Sequence, residues 1–166
     1  MNFTTLNPRN IIKIPNFRIV LRPKDKKFIL KKIQEVLASN RWTAGRQNAA
    51  LEEAFEKHIG FPYAAAVNNG GAGLVAVLQG LGLPKGSLIL CPTLTAAPTA
   101  HAILAAGMRV VFADSSLDDL GLDLGDVKRK LDIYKDKIRA VICVHIGGWI
   151  SPRIGELNKL CKKYGV

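Results

Sequence analysis

The 166-residue sequence lacks most of the marks that identify a function at a glance. Cysteine is scarce: Cys91, Cys143 and Cys161 lie far apart, with no CxxC pair. That spacing argues against a disulfide framework or a structural zinc site and fits a reducing compartment. His58, His101 and His145 are equally dispersed, so no metal site is expected. No apolar run approaches the ~18 residues that a membrane span needs. Arg9, Lys13 and Arg18 break up the apolar residues near the N-terminus, which leaves no h-region for a secretory signal. The expected location is cytoplasmic. Of two nucleotide-binding signatures one is missing and one is incomplete, since Gly71, Gly73 and Ala76 satisfy only the glycine part of the dinucleotide fingerprint. There is no GK[ST] for a Walker loop, and no Asp or Glu occurs between Gly71 and Asp114, where a dinucleotide-binding fold places its ribose-holding acid.

Basic charge, by contrast, is plentiful. The formal net charge is +11, with clusters at 24–27, 31–32, 128–130 and 162–163. Such an excess suits an anionic ligand or nucleic acid. It also suits solvated helix faces, or a chain whose acidic half is absent. No aromatic residues interleave with the clusters as a base-stacking platform requires, so nucleic acid is disfavoured. Hydrophobic residues make up 48% and charged residues 22%, enough for one globular core.

Residues 1–23, interrupted by Pro8, Pro15 and Pro23, read as an irregular arm. Helical spacing follows over 26–40 and 51–60, with Gly60 as a stop and His58 on the apolar face as a packed structural histidine. Strand and helix then alternate. Strands are expected at 63–67, 87–91, 108–114 and 138–145, and helices at 72–82, 95–107, 123–131 and 152–165. The strands are near-continuous apolar runs, the pattern of a mostly parallel sheet covered by helices on both faces. The fold class is therefore α/β. Cys91 and Cys143 fall in strands as small core residues. Asp114 ends a strand and is expected to cap the next turn.

In such sheets ligands gather beyond the carboxyl ends of the strands. The stretch Val67–Leu78, VNNGGAGLVAVL, places Gly70, Gly71 and Gly73 at one of those ends, just before a helix. Glycines there let the backbone approach an anion, and the helix points its amides and positive dipole at it. The same residues also make an ordinary tight turn, and both readings stand on this stretch alone.

Four segments in order, SNRWTAGRQNAALEEAF, AAAVNNGGAGL, GSLILCPTLTAAPTAHAILAAGMRVVFAD and IRAVICVHIGG, resemble the DegT–DnrJ–StrS family of sugar aminotransferases. The likeness runs from about Ile12 to Val166 and is nearest the branch that aminates 4-keto sugar nucleotides, as in aminoarabinose synthesis. It implies an incomplete large domain of a pyridoxal phosphate (PLP) enzyme over 24–166, with 1–23 as an arm. It also implies a nucleotide-sugar substrate, glutamate as amino donor and a homodimer.

The family's phosphate-binding G-T-A matches Gly70, Gly71 and Ala72, and its ring-stacking segment matches Pro92 to Ala96, with Thr95 and Ala96 at the cofactor. Trp42 and Thr43 match a loop beside the substrate. His145 matches the family's V-H-x-x-G and ends a strand at the ligand side, so it reads either as a substrate-binding residue or as a histidine hydrogen-bonded in the crossover loop. Gly71 replaces a Thr hydroxyl, and Ala96 replaces the stacking aromatic. The family's pyridine-binding Asp and Schiff-base Lys have no counterpart up to Val166. The resemblance therefore implies an N-terminal part with no catalytic residue of its own, inactive alone. The alternatives are a degenerate relative that has lost PLP and a basic anion or nucleic-acid binding module.

Overall fold

The structure, a computed structural model, describes residues 19–166. Most of the arm expected at 1–23 lies outside the described residues. The chain divides into two compact units, one ending at Ala66 and the other beginning at Val67.

The first unit holds helices α1 (Pro23–Ala38) and α2 (Arg46–Ile59). Pro23 opens α1 with its φ already helical, and the Asp25 side chain accepts the Arg22 amide at 3.2 Å. Neither helix contains a buried residue. The helix expected from Leu51 begins five residues earlier, at Arg46, because Gly45 marks the break. It stops as expected at Gly60, whose φ of 72° is the left-handed C-terminal conformation. His58 is exposed in the last turn, so the packed histidine expected there is not found.

Residues 63–67, expected as a strand, are not part of the sheet. A strand needs a neighbouring strand to satisfy its amides. Here the amides of Ala64 and Ala66 donate instead to Glu56 Oε1 at 2.9 Å and Glu52 Oε1 at 2.8 Å, both on α2.

The second unit is a three-layer α/β arrangement. Its helices are α3 (Gly70–Gly80), α4 (Ala97–Ala105), α5 (Leu124–Tyr134) and α6 (Ile154–Tyr164). Strands β1 (Leu88–Pro92), β2 (Arg109–Ala113) and β3 (Ile138–Val141) form a parallel sheet in the order β2-β1-β3. The register sets Leu88 against Arg109, and Leu90 against Val141. All five residues of β1 are buried, as its central place demands. Its side chains alternate. Leu88 and Leu90 pack with Val127, Leu131 and Leu157 of α5 and α6. Ile89 and Cys91 pack with Leu78, Ala102 and Ile103 of α3 and α4. A continuous apolar run is thus required, since both faces are covered. β3 ends at Val141, four residues before the expected limit, although Ile142 still donates to the Leu90 carbonyl at 2.8 Å.

Candidate functional site

The Gly-rich turn opens α3 at the carboxyl end of the sheet. Asn69 is extended (φ −163°, ψ 167°), and its Oδ1 accepts the Ala72 amide at 2.9 Å, an N-cap. The first helical bond runs from the Gly73 amide to the Asn69 carbonyl at 3.2 Å. The amides of Gly70 and Gly71 have no hydrogen-bond partner among the described residues. They lie at the positive end of the α3 dipole, whose first turn carries no acidic residue. A Cβ built at Gly70 meets nothing within 4 Å, so one side of the turn is open. A Cβ at Gly71 would stand 3.2 Å from Asn69 Oδ1 and 3.5 Å from Pro98 Cβ. The second contact brings the turn against the first residues of α4, and so beside the loop that follows β1.

That loop is held by its own bonds. The Thr93 amide donates to the Ala113 carbonyl at 2.9 Å. Thr95 Oγ1 and Thr99 Oγ1 are 2.8 Å apart, and Thr99 is buried. The Thr95 hydroxyl therefore braces the first turn of α4. Ala96 is exposed at the N-cap of α4, where its methyl group caps nothing. Of the expected cofactor residues, Gly70 and Gly71 offer free amides, the Ala72 amide is engaged, and Thr95 and Ala96 belong to the adjoining loop. His145 stands beyond the end of β3, exposed, with its carbonyl accepting the Gly148 amide at 3.0 Å. Sequence reasoning missed Asn69 and Thr99. The signals were an Asn three residues before Ala72 and a Thr four residues after Thr95.

Trp42 and Thr43 belong to the first unit, in the loop between α1 and α2, and both are exposed. Ser39 Oγ donates to the Val36 carbonyl at 2.7 Å and accepts the Arg41 amide at 3.2 Å, which fixes the start of that loop. A cavity of about 290 Å³ lies there, lined by Glu35, Ser39, Arg41, Trp42, Arg46 and Asn48 among others. Lys32 bonds Glu35 Oε2 at 2.8 Å and holds that carboxyl below its ordinary range. Arg41 and Arg46 form no ion pair among the described residues.

After β2 the loop turns as expected on Asp114, whose Oδ1 accepts the Ser115 amide at 2.9 Å. Further along, Asp119 is buried and accepts Ser151 Oγ at 2.6 Å and the Gly121 amide at 3.0 Å. The Ser151 hydroxyl, then the Gly121 amide, hold the Asp119 carboxyl below the usual carboxylate range. This clasp ties the loop after β2 to the start of α6. Among the described residues no helix is long and apolar enough to cross a membrane.

Comparison with known proteins places this geometry in a lineage. The chain is similar to GDP-perosamine synthase of Vibrio cholerae, at 29% identity over 153 residues, which are 92% of this chain and 40% of the relative. The solved sugar aminotransferase CalS13 of Micromonospora echinospora is 28% identical, covers 92% of this chain with 39% of its own, and superposes with a TM-score of 0.78. A GDP-4-keto-6-deoxymannose-3-dehydratase solved with a trapped PLP-glutamate geminal diamine is 28% identical. It covers 80% of this chain with 35% of its own, at a TM-score of 0.68. The chain thus spans 35% to 40% of the length of curated relatives that it matches. The sequence model of the DegT/DnrJ/EryC1/StrS aminotransferase family matches residues 23–166. The parallel sheet flanked by helices agrees with that match, and the chain belongs to the DegT/DnrJ/EryC1/StrS aminotransferase family.

Proposed function

We propose that these residues form the phosphate-holding share of a PLP site in an aminotransferase that acts on a nucleotide-linked keto sugar, with glutamate as the amino donor. The observation that carries this reading is the pair of unpartnered amides at Gly70 and Gly71, on a turn open at Gly70 and placed at a helix N-terminus. A phosphate dianion fits such a cradle, since amide donors and the helix dipole both favour negative charge. When bound, PLP supplies an electron sink for reactions at the carbon bearing the amino group. Gly70 and Gly71 hold its phosphate. Thr95, tied to Thr99, fixes the loop that carries Ala96, the residue that by resemblance would lie beside the ring. An Ala there forgoes a stacking contact that contributes on the order of 1 kcal/mol.

By the resemblance, Trp42 and Thr43 of the first unit are assigned to substrate binding, and so, independently, is His145 of the second. Residues 24–166 then form part of a PLP-binding large domain, residues 1–23 an arm, and the working protein a cytoplasmic homodimer. By the resemblance, the Lys that carries PLP in the family and the Asp that keeps its ring nitrogen protonated have no counterpart in these 166 residues. No residue here is given a catalytic role, and these residues alone are expected not to transaminate. A second reading, a family member that no longer holds PLP, is favoured by three features. Gly71 has no hydroxyl, Ala96 has no ring, and the Ala72 amide is engaged by Asn69.

The two readings separate on the phosphate. Equilibrium dialysis against PLP and against pyridoxal, which lacks the phosphate, is expected to show about tenfold preference for PLP, the worth of one charge-assisted hydrogen bond. Gly70→Pro removes one amide at a position where helices accept proline. Asn69 before it is already extended, as a residue preceding proline must be. The variant is expected to fold and to lose most of the preference. Equal retention of PLP and pyridoxal by the parent protein removes the first reading.

A further inference from the structure

We propose a second anion site, for an oligophosphate chain, at the amino ends of the strands, the end of the sheet opposite the Gly70 turn. The three strands are parallel, so β1, β2 and β3 all begin at one edge. A cavity of about 400 Å³ opens there, and four cations line it: Lys85, Arg109, Lys137 and Arg139. They come from three separate segments: the loop before β1, the first residue of β2 and the start of β3. Asp136 is the one carboxylate in the lining, which leaves a net charge of +3 on the wall. All five side chains belong to exposed residues.

Some cations on the helices are neutralised by a neighbouring carboxylate, as these four are not. Lys32, Lys57, Lys128, Arg129 and Lys130 each meet a carboxylate on their own helix. None of Lys85, Arg109, Lys137 and Arg139 forms an ion pair among the described residues. Four like charges held around one hollow repel each other, and a multivalent anion relieves that repulsion.

The backbone beneath them is fixed. The Gly86 amide donates to the Gly107 carbonyl at 2.9 Å, the Arg109 amide to the Ser87 carbonyl at 2.9 Å, and Ser87 Oγ to the Pro84 carbonyl at 2.6 Å. The Cα positions of Lys85 and Arg109 are thereby set before any ligand arrives, which lowers the ordering cost of binding.

The chemistry of the wall selects the ligand. Guanidinium groups grip phosphate oxygens in pairs, and two are present. A single carboxylate or phosphate cannot satisfy four cations spread over three segments, whereas a chain of two or three phosphates does. The lining contains no aromatic residue, so there is no surface on which a base can stack. Recognition is therefore of the phosphate chain itself, whether free or carried by a nucleotide.

Calorimetric titration of the protein with inorganic triphosphate, with adenosine triphosphate and with inorganic phosphate tests this. One saturable site is expected for both triphosphates, equal within about threefold, with inorganic phosphate at least about tenfold weaker. Raising salt from about 50 mM to about 200 mM is expected to weaken binding several-fold. Arg109→Gln with Arg139→Gln is expected to lower triphosphate affinity by more than about tenfold. Lys85→Gln with Lys137→Gln, confined to exposed loop and turn residues, gives the same test should the arginine pair disturb the sheet. Lys159→Gln, at an exposed residue of α6 that belongs to neither site, is expected to leave the titration unchanged. Absence of a saturable site at low salt overturns the proposal. So does a folded double variant that binds as the parent does, or a preference of more than about tenfold for the nucleotide.

Discussion

At the scale of single residues, the site turns on what Asn69 and Gly71 do to each other. Asn69 Oδ1 caps the Ala72 amide and lies 3.2 Å from where a Cβ at Gly71 would stand. A Thr at 71, the family's residue by resemblance, must push that cap aside. Gly71→Thr is expected to lose about 1 kcal/mol, the worth of an N-cap, and Asn69→Ser beside it to recover most of the loss, as thermal melts of the three variants will record. Gly121 is constrained more tightly. A Cβ there falls 2.9 Å from Ser151 Cβ, so Gly121→Ala is expected to destabilise by roughly 1–3 kcal/mol in chemical denaturation. The same clasp sets a pH dependence. Asp119 has a lowered folded-state pKa, so its contribution is present above the ordinary aspartate value and lost as pH falls through the lowered one. The difference in melting temperature between the parent and Ser151→Ala is expected to narrow as pH drops from about 6 to about 2. A difference that stays constant over that range contradicts the role given to the charged carboxylate. Of these residues Gly71 was legible in the sequence. The Asp119–Ser151 contact was not, since it joins residues 32 positions apart and follows no period.

At the scale of elements, the alternation of apolar runs and helical patterns gave the sheet of the second unit and its four helices to within a few residues. It did so because burial on both faces leaves an unbroken apolar run that few other structures need. The same pattern misled at 63–67. Composition marks a segment fit to be a strand, but pairing depends on an available edge, and no sheet edge takes it up here. The amides of Ala64 and Ala66 are met by Glu52 and Glu56 instead, and those glutamates read in the sequence only as the polar face of α2. Glu52→Gln with Glu56→Gln replaces charged acceptors by neutral ones. It is expected to speed amide exchange at Ala64 and Ala66 while leaving β1 protected, as residue-resolved hydrogen exchange will report. The loop joining α1 and α2 holds Ala44 at φ 45°, a left-handed conformation that only glycine adopts freely. Ala44→Gly is expected to stabilise by about 0.5–1 kcal/mol, and a loss of stability contradicts the strain assigned to this loop.

At the scale of the whole molecule, composition alone spoke of charge and left its arrangement open. Some of the basic residues are paired along helices, many pair with nothing described, and four of the unpaired ones gather around the hollow at the amino ends of the strands. Apolar exposure is also uneven. Within the second unit Leu117, Trp149 and Ile150 are exposed at 97%, 63% and 64%, and Phe112 of the sheet at 45%. Surfaces of this kind are sites of association, so the 166-residue chain is expected to self-associate in sedimentation velocity; a single monomer species with a cooperative melt contradicts that. The central claim, that the Gly70–Gly71 amides hold a phosphate, has a direct observable in the amide resonances themselves. On titration with PLP, the Gly70 and Gly71 amide protons are expected to move downfield together and saturably, while Ala72, already bonded to Asn69, moves little. If those two resonances stay in place while PLP binds elsewhere, the account of this turn is wrong.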